Sequence, residues 1–366
     1  MTMLLNDDQE MLRDNAARFM AEAAPVSHLR ALRDDQNPDG FSRELWAGFA
    51  EMGFTAMLVP EDHGGLGLGL AEAGIILREI GRNLTPSPFM TTALGGVMAL
   101  RTDKGEAAEQ WLPKIAEGKA VLALALDEGA KHGATPTKLR AEPSGNGWKL
   151  SGQKDFVLHA QSADAYLVLA RTDEGERLFL VDAKADGIER QTTPQVDAGY
   201  SSRVTFSDVT TEHPVGGEDT VKQMMAGLRV GAAAEMTGLA EGAAAMTTAY
   251  LSDRKQFGVP IGSFQALQHR AAHLYCELEV ASAATLRAER LADSESPEAE
   301  EAVHVAKATA GWTSRLAVQE AVQMHGGIGM TDEHDIGLFM KRQRVLEELW
   351  GDSNYHAEQY ARLKGY

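Results

Sequence analysis

From Val221 to Gly258 the chain reads VKQMMAGLRVGAAAEMTGLAEGAAAMTTAYLSDRKQFG, a stretch without proline and dominated by alanine, methionine and other helix-compatible residues. It predicts one long helix, and a helix of that length finds its partners among others of similar length. Phe264 to Asp293, FQALQHRAAHLYCELEVASAATLRAERLAD, repeats the pattern. A third segment runs from Glu298 to about Met324 and a fourth follows Asp332. Residues 212–366 are therefore expected to form an antiparallel four-helix bundle.

Two further textures precede it. Residues 1–118 carry apolar side chains at three- and four-residue intervals in DDQEMLRDNAARFMAEAA, SRELWAGFAEMG and LAEAGIILREIGRNL, which predicts an N-terminal helical domain. Between these helices VPEDHGGLGLG reads as a permissive loop leading into a helix, since no βαβ unit surrounds its glycines. Residues 119–211 change to short alternating runs, VLALALD, WKLSGQKDFVLH, DAYLVLAR, RLFLVDA and SRVTFSDV, punctuated by Asn146-Gly147 and by DEGE and ADG breaks. That pattern predicts a middle antiparallel β domain. The fold class is α+β and multidomain, in the order helical, β, helical.

Composition narrows the function. The chain has 366 residues, 44% of them hydrophobic and 24% charged, which suits two or three ordinary packed cores. A formal net charge of -18 repels a phosphate backbone, and no basic stripe interleaves with aromatics, so nucleic acid is excluded as the expected partner. No stretch approaches the roughly 20 apolar residues of a membrane span, and the N-terminal residues turn acidic too soon for a secretory leader. A cytoplasmic location is expected. Cys276 is the single cysteine, which excludes an intramolecular disulfide and a thiolate metal cage. It is expected to be a small buried hydrophobe, and no metal site is expected.

Three motifs carry a resemblance. DRKQFGVPIGSFQALQHR (Asp253 to Arg270), QEAVQMHGGIGMTDEHDIGLFMKR (Gln319 to Arg342) and LSGQKDFVLHAQSADAYLVLAR (Leu150 to Arg171) together resemble the acyl-CoA dehydrogenase family, and the likeness extends over nearly the whole chain in the same three-region order. In wording the chain is most similar to small subunits of dehydrogenases acting on pimeloyl-CoA and related thioesters. The resemblance implies FAD as cofactor, held between subunits of a homo- or hetero-oligomer. It also implies an acyl-CoA substrate and an electron-transfer flavoprotein as acceptor. An oxidase or monooxygenase of the same architecture is the reading that changes only the acceptor.

By the same resemblance Arg254 pairs with the flavin pyrophosphate, Phe257 and Gln265 line its path, and Gln323 faces the adenosine. Gly326 and Gly327 supply the open backbone that a flexible anion needs. Taken singly, Arg254 is also a helix C-terminal charge, Gln265 a capping residue and Phe257 a core side chain. In the β domain Phe156, Val157 and Leu158 meet the flavin's redox edge, and Leu158 lacks the hydroxyl that the family usually places there. Asp127 stands where relatives commonly carry threonine, and serves equally as a strand-end turn residue.

The implied reaction abstracts the proton alpha to a thioester carbonyl, for which a desolvated carboxylate is needed. At the two positions where relatives carry that glutamate, this chain has Trp350, in EELWGDSNYH, and Leu228. Asp352 is the nearest carboxylate, and it reads equally as the N-cap of a helix starting at GDSNYHAEQY. Glu347, Glu348 and Glu235 are lesser candidates, expected on solvated helix faces. Arg229 is expected either at the substrate end of the site or paired with an acidic surface neighbour. If one straight helix joins Arg229 to Arg254, the two point to nearly the same face roughly 37 Å apart. Two readings remain open: a self-sufficient dehydrogenase using Asp352, and a base-deficient subunit whose partner supplies the carboxylate.

Overall fold

The computed structural model describes residues 4–103, 105–133, 136–212 and 214–366. The N-terminal third contains α1 (Asp7–Ala23), α2 (Val26–Asp34), α3 (Arg43–Glu51), α4 (Leu70–Asn83), a π-helical turn (Phe89–Gly96) continuing into α5 (Val97–Leu100), and α6 (Glu106–Ala116). Strands follow: β1 (Leu122–Ala125), β2 (Arg140–Ser144), β3 (Gly147–Leu158), β4 (Ala165–Thr172), β5 (Gly175–Asp182), β6 (Ile188–Pro194), β7 (Tyr200–Thr211) and β8 (Pro214–Gly216). Then come α7 (Glu218–Asp253), the short hairpin β9 (Lys255–Gln256) and β10 (Val259–Pro260), α8 (Gln265–Asp293), α9 (Ala299–His325), α10 (Ile336–Glu348) and α11 (Ser353–Leu363). The order helical, sheet, helical is as expected.

Contacts gather these elements into two compact units, one of residues 4–29, 70–85 and 229–366 and one of residues 30–69 and 86–228. The first joins α1 and α4 to the C-terminal helices. α4 and α7 cross with their backbones in close approach: a Cβ on Gly238 would lie 1.9 Å from the Arg78 carbonyl oxygen, one on Gly81 2.0 Å from that of Glu235, and one on Gly242 2.6 Å from that of Arg82. Glycine is required there for approach. The N-terminus of α4 is capped from far along the chain, the Asp293 carboxylate accepting from Leu70 N at 2.8 Å and Ala71 N at 3.3 Å.

Beside this crossing the Glu289 side chain of α8 is buried against Gly74, and its Oε1 finds no hydrogen-bond donor among the described residues. Burial pushes its carboxyl up to about 8; Arg78 and Arg290 act against the shift, Asp293 and Glu72 with it. The folded chain therefore keeps this proton at neutral pH while the unfolded chain loses it near the ordinary value. The contribution to stability is complete below pH ~4.5 and declines until about pH 8. Glu289→Gln is expected to flatten that decline and raise the thermal midpoint at pH 9 relative to wild type; equal pH profiles for the two proteins would refute the assignment.

α8 buries a stripe of Leu274, Leu278, Ala281, Thr285 and Ala288. Cys276 falls off that stripe and is exposed, which corrects the expectation of a buried thiol.

The second unit is built on an eight-stranded sheet in the order β6-β7-β3-β2-β4-β5-β8, with β1 pairing β4. Most neighbours are antiparallel, but β4 takes two strands in parallel, β1 with Leu122 opposite Ala165 and Ala125 opposite Val168, and β2 with Arg140 opposite Arg171. One face packs Leu150, Val168, Phe179, Val204 and Phe206 around Tyr166, whose hydroxyl donates to Ala160 O at 2.8 Å. Gly145 and Asn146 turn β2 into β3, Gly145 at φ +61°.

Candidate functional site

In the helical unit α10 ends at Glu348 and the chain turns through Leu349–Asp352 into α11. Trp350 and Gly351 both lie in the left-handed region, at φ +54° and +107°. At 351 only glycine fits, because a Cβ would stand 2.4 Å from Tyr355 Cδ1 and 2.9 Å from His356 Nε2. At 350 a side chain is held where its backbone is disfavoured, at a cost of order 1–3 kcal/mol that the surroundings must offset.

They do so through buried polar groups. Lys307 of α9, wholly enclosed, donates from Nζ to the carbonyls of Gly351 (2.9 Å), Glu347 (3.0 Å) and Leu346 (3.4 Å), so it satisfies carbonyls left over at the end of α10. His356 Nε2 lies 3.2 Å from the Trp350 carbonyl and His356 Nδ1 2.8 Å from His304 Nδ1. A carbonyl only accepts, so His356 carries its proton on Nε2, and His304 Nδ1–H donates to His356 Nδ1. Burial, with Lys307 and Arg229 nearby, pushes His356 down to about 2; burial and Arg229 push His304 down to about 4. Both rings stay neutral and the relay keeps one direction. Burial and Arg229 push the Lys307 ammonium down to about 7, against Asp352 and Glu348, while three carbonyl acceptors match the three N–H bonds of its charged form. Sequence inspection passed over Lys307 and His304; the available signal was two polar residues three apart within the apolar run AVHVAKATAG.

The carboxylates near this turn are already engaged. Asp352 is the N-cap of α11, its Oδ1 accepting from Tyr355 N at 2.7 Å. Glu347 is fully buried and bound by Arg315, Arg344, Gln343 and Ser353. Glu235 is buried against Arg342 at 2.6 Å. The expectation of solvated faces for Glu347 and Glu235 is thus corrected: each sits on the inner side of its helix and is neutralised there. Glu348 is half-exposed and pairs with Arg344. The Arg229 guanidinium lies 5.9 Å from the centre of the Tyr355 ring. α7 continues from Arg229 without a break to Asp253, with Arg254 N still donating to Tyr250 O.

Arg254 opens the β9–β10 hairpin, exposed, and Phe257 at its tip is 90% exposed with φ +55°. That exposure excludes Phe257 from a core. Gln265 is the first residue of α8 rather than its cap, which is Phe264. α9 ends at His325; Gly326 follows at φ +65°, and a Cβ on either Gly326 or Gly327 would meet nothing within 4 Å. Gln323 is exposed on the last turn of α9.

In the sheet unit β3 bulges between Lys154 and Val157, with Phe156 at φ +56° and 54% exposed. Val157 is buried, and Leu158 pairs with Ser201. The bulge is clamped to the end of β1: Lys154, fully buried, donates to Leu126 O (3.0 Å) and Glu128 Oε1 (2.7 Å), and Asp155 N donates to Asp127 O (2.8 Å). Asp127 Oδ1 meets His132 Nδ1 at 2.8 Å. A strained, exposed aromatic on a rigid support is what a planar ligand face requires.

Profiles of the acyl-CoA dehydrogenase N-terminal, middle and C-terminal domains match residues 6–119, 126–209 and 216–364. Acyl-CoA dehydrogenase IpdE2 of Mycolicibacterium smegmatis is 32% identical over 363 residues, covering 98% of this chain and 99% of its own. The chain belongs to the acyl-CoA dehydrogenase family, whose members are oxidoreductase enzymes. Among solved structures, a variant of the Tcur3481-Tcur3483 steroid ACAD superposes with a TM-score of 0.91 at 29% identity, covering 98% of each chain. The ChsE4-ChsE5 complex from Mycobacterium tuberculosis superposes with 0.91 at 26%, covering 100% of this chain and 99% of that one. Among the described residues no helix is long and apolar enough to cross a membrane.

Proposed function

We propose that this chain is the base-deficient subunit of a hetero-oligomeric, FAD-dependent acyl-CoA dehydrogenase. The assembly would convert an acyl-CoA thioester to the trans-2-enoyl thioester, with a partner subunit supplying the carboxylate. The observation that carries the reading is Trp350, 5% exposed and fixed at the turn where relatives carry the base. Leu228, at the alternative position, is buried too, and Asp352 is spent on capping α11. The relative from Mycobacterium tuberculosis is a complex, ChsE4-ChsE5, which supports a two-chain assembly here.

The residues present fit a flavin dinucleotide. Phe156 offers an exposed ring face on a clamped bulge, Arg254 an exposed fork of donors, and Gly326 and Gly327 backbone with open space beside it. FAD, when bound, supplies the hydride-accepting chemistry; Phe156, Val157 and Leu158 would orient its ring, and Arg254, Phe257, Gln265, Gln323 and the two glycines would serve the pyrophosphate and adenosine of the cofactor held by a neighbouring subunit. An electron-transfer flavoprotein is the proposed acceptor.

The test is anaerobic. The purified chain, supplied with FAD and a panel of straight-chain, dicarboxylyl and steroid side-chain CoA thioesters, is expected to leave the visible flavin band unbleached. Bleaching by any of them would show a base within this chain and sink the reading, and Asp352→Asn would then identify it.

A further inference from the structure

We infer that Tyr250, His325 and His334 form a proton-sensitive latch, in which neutral His325 is the positioning residue that fixes the Gly326–Gly327 turn and proton uptake by its ring releases that turn. That the turn serves the diphosphate end of FAD rests on the function proposed above. The latch itself rests on the geometry of the three rings.

The rings come from three segments of the helical unit. His325 ends α9, and its ring centre lies 4.4 Å from that of Tyr250, near the end of α7, with 33° between the planes. The ring of His334, just before α10, also lies 4.4 Å from that of His325, and 6.4 Å from that of Tyr250. Two of the rings adjoin residues assigned to the cofactor: Arg254 N donates to the Tyr250 carbonyl at 2.9 Å, and Gly326 follows His325 directly. The turn also folds back on His325, since a Cβ on Gly329 would lie 3.1 Å from the His325 Cβ.

His325 is 3% exposed, and its Nδ1 lies 2.7 Å from the Ala321 carbonyl, which only accepts, so the proton of the neutral ring is on Nδ1. Nε2 is left as a bare lone pair, buried and without a hydrogen-bond partner among the described residues. A proton arriving there meets no acceptor: Tyr250 packs ring on ring, and His334 Nδ1 already accepts from Ile336 N at 3.2 Å. Along the chain the charged neighbours are Asp253 and Arg254 beyond Tyr250, and Asp332, Glu333 and Asp335 around His334. Burial, and after it His334, push His325 below its ordinary value of 6.5, against the Ala321 bond. A ring released into water takes its proton near 6.5, and the stacked ring only further down. Each pH unit below 6.5 therefore favours release by up to about tenfold, until the stacked ring is protonated too.

Hydrogen exchange of the full-length chain, corrected for intrinsic rates, is compared at about pH 8 and about pH 5.5, together with its affinity for ADP-ribose. That probe carries the adenosine and diphosphate of FAD as a diester that does not titrate in this range. Acidification of wild type is expected to speed exchange in residues 250–260 and 322–336 about tenfold, to leave α8 unchanged, and to weaken ADP-ribose by a similar factor. His325→Phe keeps a ring in the stack, and His325→Asn keeps an N–H for the Ala321 carbonyl; neither titrates, and both are expected to flatten the two profiles. Equal exchange at both pH values in wild type overturns the latch, as does a pH response that survives in either variant. Tighter ADP-ribose binding on acidification also overturns it, because an imidazolium would then be attracting the diphosphate by charge alone. Absence of ADP-ribose binding at about pH 8 would overturn the cofactor reading of this turn and the release function with it. The exchange profiles tell that failure apart from failure of the latch.

Discussion

Replacing Lys307 with methionine is expected to destabilise the helical unit by about 3–5 kcal/mol, the usual cost of removing one side of a buried polar network. The substitution keeps the aliphatic volume and deletes the three N–H donors. The carbonyls of Leu346, Glu347 and Gly351 are then buried without their cap, and each unpaired group costs about 1–3 kcal/mol. The strained Trp350 turn loses its main support at the same moment. Urea unfolding followed by tryptophan fluorescence reports the change, and a loss below about 1 kcal/mol would mean that water replaces the ammonium and that the turn stands without it.

The second large effect lies at the α4–α7 crossing. Gly238→Ala is expected to cost more than about 3 kcal/mol, because its methyl group would sit 1.9 Å from the Arg78 carbonyl oxygen, a backbone atom that no rotamer change can move. The helices must separate, which also loosens the contacts at Gly81 and Gly242. Gly129→Ala serves as the comparison, since nothing lies within 4 Å of its added methyl. Thermal unfolding of the pair decides it: if the two variants melt together, the crossing is softer than its geometry implies.

Much of this architecture was readable in the sequence because hydrophobic period reports local structure. The Val221–Gly258 stretch is a helix through Asp253. What period does not report is partnership at a distance. Nothing local says that Asp293 caps α4, that Glu347 and Glu235 turn inward to arginines, or that Lys307 closes the end of another helix. Strands β2 and β6, rich in charged and polar residues, lacked the alternation that revealed their neighbours. The parallel pairing of β1 with β4 depends on topology alone. Resemblance singled out positions 228 and 350 as expected places for a base, but only the structure shows that the turn at 350 is braced by buried groups rather than left to relax.

The helical unit is assembled from three pieces of chain, residues 4–29, 70–85 and 229–366. On the ribosome α1 and α4 emerge long before α7 and α8 exist, and apolar side chains of α4 that are buried in the finished unit, such as Ile76, Leu77 and Ile80, wait for those helices. Their closure waits for the intervening residues 86–228, an ordering that slows folding and leaves sticky helices in transit. Expression yield of this chain is therefore expected to depend on chaperone supply and growth temperature more than its final stability alone would suggest.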